Sequence, residues 1–337
     1  MLRVVDSLPQ GFVDVAAVDL YSVVSGPSLI HLSGRHPEPL FVSVLLHGNE
    51  TTGLTTVQRL LKKYRDQELP RAISLFVGNV EAARQGMRRL PGQPDYNRIW
   101  SGGDSAEQIM AQQVLREMQE RQVFACVDIH NNTGLNPHYA IVSHLDHHHF
   151  QMATLFGRTV VYATTPVTTC NYAFAGTCPA VTLESGLPGQ AQGEGHVFEY
   201  LEACMRLSKL PDSPVAAHDM DLFHTVATVK IPQRMSFGFS DPDAAIRLIP
   251  DIDRLNFREV AAGTLLAELR PGSGAYLEVW DENGNDAQGR YFTQANDQVR
   301  TARAVMPSML TMREDIIRMD CLCYLMERMD WQQRMRA

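Results

Sequence analysis

Three short segments carry residue types that bind a catalytic metal and move protons: His47-Gly48-Asn49-Glu50, Asp128-Ile129-His130 and Thr182-Leu183-Glu184-Ser185. A catalytic zinc takes nitrogen and oxygen donors from three protein ligands and keeps a fourth position for water. His47, Glu50 and His130 supply two imidazoles and one carboxylate, a set for one Zn2+ per chain. His47 and Glu50 stand three positions apart, so both can reach one ion across a single turn, with Gly48 letting the backbone turn tightly. A metal held there acidifies water and polarises a carbonyl, and Glu184 is an acid/base group for the same site. Asp128, two residues before His130, is placed as an orienting neighbour. Cobalt, nickel and manganese suit the same donors.

Each segment closes or follows a strand. Leu40–Leu46 is a continuous apolar run of strand length directly before His47, Val123–Ile129 runs into His130, and Ala180–Leu183 runs into Glu184. In open α/β sheets ligands bind beyond the carboxyl ends of strands, which is where all three segments fall. Helical spacing follows in Glu50–Tyr64 and in Gln192–Leu207, with a further helix over Ser105–Gln119 capped by Ser105. Ile73–Val77 reads as another strand. This alternation predicts an α/β fold, a mixed sheet sandwiched by helices. Pro211–Pro214 breaks the pattern, and short β-like runs such as Thr225–Ile231 come after it. A catalytic domain over residues 1–212 and a smaller β-rich domain over 213–337 are expected. From Ser308 to the end, methionines and charges alternate at helical spacing, which predicts a helical tail.

HGNE, DIHN and LESG, in this order, resemble the succinylglutamate desuccinylase/aspartoacylase branch of the zinc carboxypeptidase superfamily. The resemblance implies His47, Glu50 and His130 as zinc ligands and Glu184 as general base and proton shuttle. It also implies a zinc carboxypeptidase-like fold. Asp95-Tyr96-Asn97-Arg98-Ile99-Trp100 is similar to the family's DxNRxF element, which implies that Asn97 and Arg98 grip a substrate carboxylate. Arg88 stands where the family places an arginine that stabilises the oxyanion, with Arg89 one position away. The family closes its site with a tyrosine from the C-terminal domain, for which Tyr291 and Tyr276 are candidates. One departure concerns substrate: family members carry a carboxylate-binding arginine about ten positions before the catalytic glutamate. Asn171–Cys178 contains none, and an ungapped count puts Phe174 there. This weakens the case for aspartate- or glutamate-type substrates and leaves room for a more apolar acyl or amine moiety. The expected activity is zinc-dependent deacylation of an N-acyl amino acid. Carboxypeptidase action on a short peptide is the second enzyme reading, and a metal-binding interaction module is the reading outside catalysis.

Composition narrows the classes further. A net charge of −8 argues against nucleic acid as a partner, which calls for clustered basic surface. No apolar run approaches the ~20 residues of a membrane span. Met1–Leu20 carries Asp6, Asp14 and Asp19 and no unbroken apolar stretch, so no secretory signal is expected. Six cysteines lack the spacing of a disulfide framework or of paired CxxC zinc ligands. A cytoplasmic protein with reduced thiols is expected, and the Met-rich tail leaves a homo-oligomer open. Cys321 and Cys323 read as packing residues. His144-Leu145-Asp146-His147-His148-His149 looks like a metal tract, but consecutive histidines cannot all face one ion. Asp146 reads instead as the N-cap of a solvated helix start.

Overall fold

The computed structural model describes residues 1–331. Two compact units form, one from Met1–Asn131 with His138–Asp221, the other from Asn132–Pro137 with the chain from Leu222 on.

The first unit contains strands β1 (Arg3–Val5), β2 (Ser28–Leu32), β3 (Gly34–Val44), β4 (Leu69–Val77), β5 (Ala125–His130), β6 (Tyr139–Val142), β7 (Thr159–Tyr162) and β8 (Ala180–Glu184). Its helices are α1 (Thr52–Lys63), α2 (Val80–Arg84), α3 (Ala106–Glu120), α4 (His147–Phe156), α5 (Cys170–Ala175) and α6 (Ala191–Arg206). The strands lie in the order β1-β2-β4-β3-β5-β8-β6-β7. At the centre β4, β3, β5 and β8 run parallel, while β2 and β6 oppose their neighbours, so the sheet is mixed.

Strand alternation sorts the side chains between two helical layers. Phe41 and Cys126 face α3 and α5, packing with Met110, Val114, Met118 and Phe174. On the opposite face Val44 and Ile129 meet α1 at Gly53, where an added Cβ would come within 2.9 Å of Val44 Cγ1. Helix α6 packs beside α1, and α4 beside α6. Covering both faces is why these strands read as unbroken apolar runs rather than alternating ones. Ser105 caps α3 in a reciprocal box with Gln108. Asp146 caps α4 by accepting from the backbone of His148 and His149. His149 is buried rather than solvated, its Nδ1 2.7 Å from Asp146 Oδ2.

The second unit is β-rich. Strand β9 (Asp221–Lys230) is followed by β10 (Phe237–Gly238), β11 (Ile246–Leu248), β12 (Leu265–Leu269), β13 (Glu278–Asp281), helix α7 (Gln288–Tyr291), β14 (Phe292–Ala295), β15 (Gln298–Thr301), β16 (Met306–Ser308), helix α8 (Glu314–Met319) and β17 (Cys323–Arg328). One sheet has the order β10-β11-β12-β15-β14; in the other, β9 lies between β13 and β17, with β16 beyond. The segment from Ser308, expected as a helical tail, is therefore mostly not helical. Among the described residues up to Asp330 the helical part is α8, and Cys323–Arg328 forms an antiparallel ladder with β9. Leu325 and Met326 gain their burial through that non-local pairing, which helical spacing cannot report. The methionines form no single stripe, since Met326 is buried while Met312 and Met319 are exposed. The end of the expected tail, residues 332–337, lies outside the described residues. All six cysteines are free and buried, Cys321 and Cys323 within the packing of this unit. No helix among the described residues is long and apolar enough to cross a membrane.

Candidate metal centre

Three adjacent parallel strands, β3, β5 and β8, end at one edge of the sheet. Strand β3 stops at Val44, earlier than its apolar run, because Leu45 adopts a left-handed conformation (φ 57°) and turns the chain. That turn carries His47 and is closed by Glu50 N donating to His47 O (3.1 Å). Gly48 has no positive φ, contrary to the expectation of a special turn. Its need is space: an added Cβ would lie 2.2 Å from Ala83 N in α2. On β5, Asp128 and His130 point to the same face because they are two apart. His130 is the register partner of Glu184 on β8, so those side chains also share a face.

His47, Glu50 and His130 converge. His47 Nδ1 is 2.8 Å from Glu50 Oε1, His130 Nδ1 is 2.8 Å from Glu50 Oε2, and the two Nδ1 atoms are 3.2 Å apart. Behind each ring stands a carboxylate. His47 Nε2 is 3.0 Å from Asp95 Oδ1, and His130 Nε2 is 2.9 Å from Asp128 Oδ2. An ionised carboxylate only accepts, so each Nε2 carries the proton, and the two Nδ1 lone pairs face the Glu50 carboxylate. Three electron-rich groups this close repel unless positive charge lies among them. Ligands of a tetrahedral zinc, at ~2.0–2.1 Å from the ion, sit roughly 3.3 Å apart, so the spacing fits. Among the described residues this is the group of three that could hold a metal ion. The field agrees: burial would lower the His130 pKa, yet Asp128 and Glu50 hold it well above the ordinary value. Burial likewise opposes ionisation of Glu50 and Asp95, but the histidines beside them, with Arg88 and Arg98 for Asp95, keep both well below the usual carboxylate range.

Glu184 differs. It is buried, and its Oε2 has no hydrogen-bond partner. Burial pushes its pKa up to about 8; His130 and Arg88 pull the other way, and Glu50 and Asp128 add to the rise. A carboxyl poised near neutrality suits proton transfer in both directions.

The remaining expected residues separate into those at the cluster and those elsewhere. Arg88 faces it, with NH2 3.1 Å from Asp95 Oδ2 and NH1 3.5 Å from Glu50 Oε1, and its carbonyl accepts from Gly48 N (3.1 Å). Arg89 instead donates to Gln93 O (2.9 Å), so of the two arginines Arg88 is the one turned toward the cluster. Asn97 lies against the cluster, Nδ2 3.4 Å from His130 Nε2, while its Oδ1 accepts from Cys170 N at the start of α5. Half-buried Arg98 donates to Asn97 O (2.9 Å) and contributes positive charge to Asp95. Tyr291 corrects the expectation: its ring is 0% exposed in the core of the second unit and offers a substrate no surface. Tyr276 keeps a half-exposed ring, its hydroxyl accepting from Arg234 (3.1 Å). Phe174 is also a core residue, stacked on Phe41 at 4.4 Å between centroids, so it does not replace the missing arginine with an apolar lining. Asp95 and Asn131 carry no signal of their own in the sequence, although both lie inside motifs. A partner-seeking acid or amide has no local signature when its partners are 48 or 79 positions away.

Residues 39–192 match the family model described as the succinylglutamate desuccinylase/aspartoacylase catalytic domain, which bears out the resemblance carried by the motifs. Among solved structures, the chain is similar to the succinylglutamate desuccinylase from Chromobacterium violaceum (16% identity, 88% of this chain and 87% of that one covered, TM-score 0.54). It is also similar to murine aminoacylase 3 (14%, 88% and 97%, 0.55). A third similar structure is the product-bound ectoine utilization protein from Ruegeria pomeroyi (16%, 89% and 88%, 0.55). At these identities the structures speak to the fold alone, a mixed α/β sheet with helices and a smaller β-rich C-terminal part, as expected. No protein of curated function matches the chain.

Proposed function

We propose that this protein is a zinc-dependent amidohydrolase that deacylates a small N-acyl amino acid, with residues 1–212 as its catalytic domain and the β-rich remainder as a second. The observation that carries the reading is the convergence of His47 Nδ1, His130 Nδ1 and the Glu50 carboxylate beside a buried Glu184 with an unpartnered oxygen. His47, Glu50 and His130 would hold the ion, and Asp95 and Asp128 would fix the two imidazoles in the ligating tautomer. Zinc bound there supplies a Lewis acid that acidifies water and polarises the scissile carbonyl. Glu184 takes the proton from the attacking water and delivers it to the leaving amine. Arg88, held by Asp95, turns its guanidinium N–H groups to the developing oxyanion. Arg98 and Asn97 are assigned to the substrate carboxylate, and the oxyanion arginine is Arg88 rather than Arg89. Six free cysteines suit a reducing compartment such as the cytoplasm.

Elemental analysis of the purified protein tests this, alongside a His130→Ala variant and turnover of N-acetyl and N-succinyl amino acids. About one zinc per chain, lost in the variant together with hydrolysis, is the expected result. Zinc-free protein after reconstitution with zinc would overturn the reading.

A further inference from the structure

We infer that Asn131 is a positioning residue whose side chain sets Glu184 against the metal ligands, a role that rests on the hydrolase reading above. Its buried amide joins two of the three motif loops from within the third. Asn131 Oδ1 accepts from Thr52 N (3.2 Å), at the first residue of α1. The N-cap of that helix, Thr51, makes no side-chain capping bond, so the cap arrives from a residue 79 positions away. Asn131 Nδ2 lies 2.9 Å from Thr52 Oγ1, 3.1 Å from Ser185 Oγ and 2.9 Å from Gly186 O. Its backbone N donates to Glu50 Oε2 (3.1 Å).

Ladders with β5 and β6 set the Glu184 backbone opposite His130 and Tyr139, and Glu184 is the last residue of β8, so its C-terminal side depends on the turn that follows. Beyond it the chain turns sharply, and Gly186 takes φ +76°, a conformation that side-chain-bearing residues rarely adopt. Ser185 holds one flank of that turn: its N and its Oγ both donate to His130 O (3.1 and 2.6 Å). Asn131 holds the other by reaching Gly186 O while gripping the start of α1. The amide is needed for both functions at once, since it carries a donor and an acceptor on one planar group. An aspartate there would keep the acceptor for Thr52 N but set a carboxylate against Gly186 O and the two hydroxyls. The bonds at the metal ligands are made by other groups: the contact to Glu50 comes from the Asn131 backbone, and the imidazoles are held by Asp95 and Asp128.

The test compares Asn131→Ala and Asn131→Asp with the milder Ser185→Ala, on the full zinc-loaded chain. Three quantities are read: zinc affinity by chelator competition, amide exchange at Ser185 and Gly186 relative to β5, and kcat and KM on N-acetyl amino acids. In the Asn131 variants zinc affinity should stay within about threefold, unlike the 10- to 100-fold loss expected when a ligand's own carboxylate is removed. Exchange at Ser185 and Gly186 should rise by about tenfold or more while β5 is unchanged. With the base displaced, kcat should fall about 100-fold at near-constant KM. Ser185→Ala should move the same readouts in the same direction by up to about tenfold, and it decides the matter if the Asn131 variants do not fold. Uniformly faster exchange with kcat preserved per bound zinc would overturn the inference, as would unchanged exchange at the turn. Wild-type protein inactive on every substrate would count against the hydrolase reading alone. The exchange and zinc measurements would still decide whether Asn131 clamps the turn.

Discussion

The two halves of the candidate centre are built on opposite plans. On the ligand side every imidazole nitrogen is engaged: Nδ1 of His47 and His130 meet Glu50, and Nε2 meet Asp95 and Asp128. On the other side Glu184, one strand further along the sheet, keeps a buried oxygen with no partner. Bracing from behind fixes the tautomer and direction of a ligand, which an ion of fixed geometry requires. A proton shuttle has the opposite need, since a carboxylate saturated with donors loses basicity and has no open lone pair for water. On the proposed hydrolase reading the contrast separates metal binding from proton transfer, so substitutions on the two sides should fail differently.

Glu184→Gln gives the sharpest separation: zinc content should stay at one per chain while kcat falls by about 10²–10⁴. Measured by elemental analysis and turnover on the same preparation, a variant retaining near-normal activity would break the comparison at its centre. Arg88→Ala comes next, with an expected loss of about 10²–10³ in kcat and zinc retained. Asp128→Asn acts on the ligand side, so chelator competition should show zinc affinity reduced about 10- to 100-fold, with the zinc-saturated enzyme recovering most of its rate. Should the loss instead lie in kcat at saturating zinc, Asp128 would belong to the catalytic half. The smallest effect is expected for Arg89→Ala, which removes only a bond to Gln93 O. Its activity should stay within about twofold of wild type, as for substitutions away from special features.

How much of this is legible in the sequence depends on how far each signal reaches along the chain. A strand buried on both faces must be apolar throughout, so the ends of β3, β5 and β8 are marked where a polar metal-type residue interrupts the run. This makes His47, Glu50, His130 and Glu184 readable. Capping is equally local, as with Ser105 for α3 and Asp146 for α4. Arg88 and Arg89 lie in a loop without periodicity, and only folding shows that the first turns to Asp95 and the second to Gln93. Tyr291 is a polar aromatic that suits a site or a core equally, and its place in the second unit's core is a packing outcome.

The sequence by itself determined the candidate donor residues, their place at strand ends and the α/β class, because composition and spacing over a few residues are enough to specify buried strands and their ends. Tertiary structure alone decided what stands behind each donor: Asp95 behind His47, Asn131 across Thr52 and Gly186, and β9 rather than a helix as the setting of Cys323–Arg328. Those choices depend on hydrogen bonds between segments far apart in the chain, and a polar group or a short apolar run does not encode its distant partner. It shows only that it must find one when it is buried.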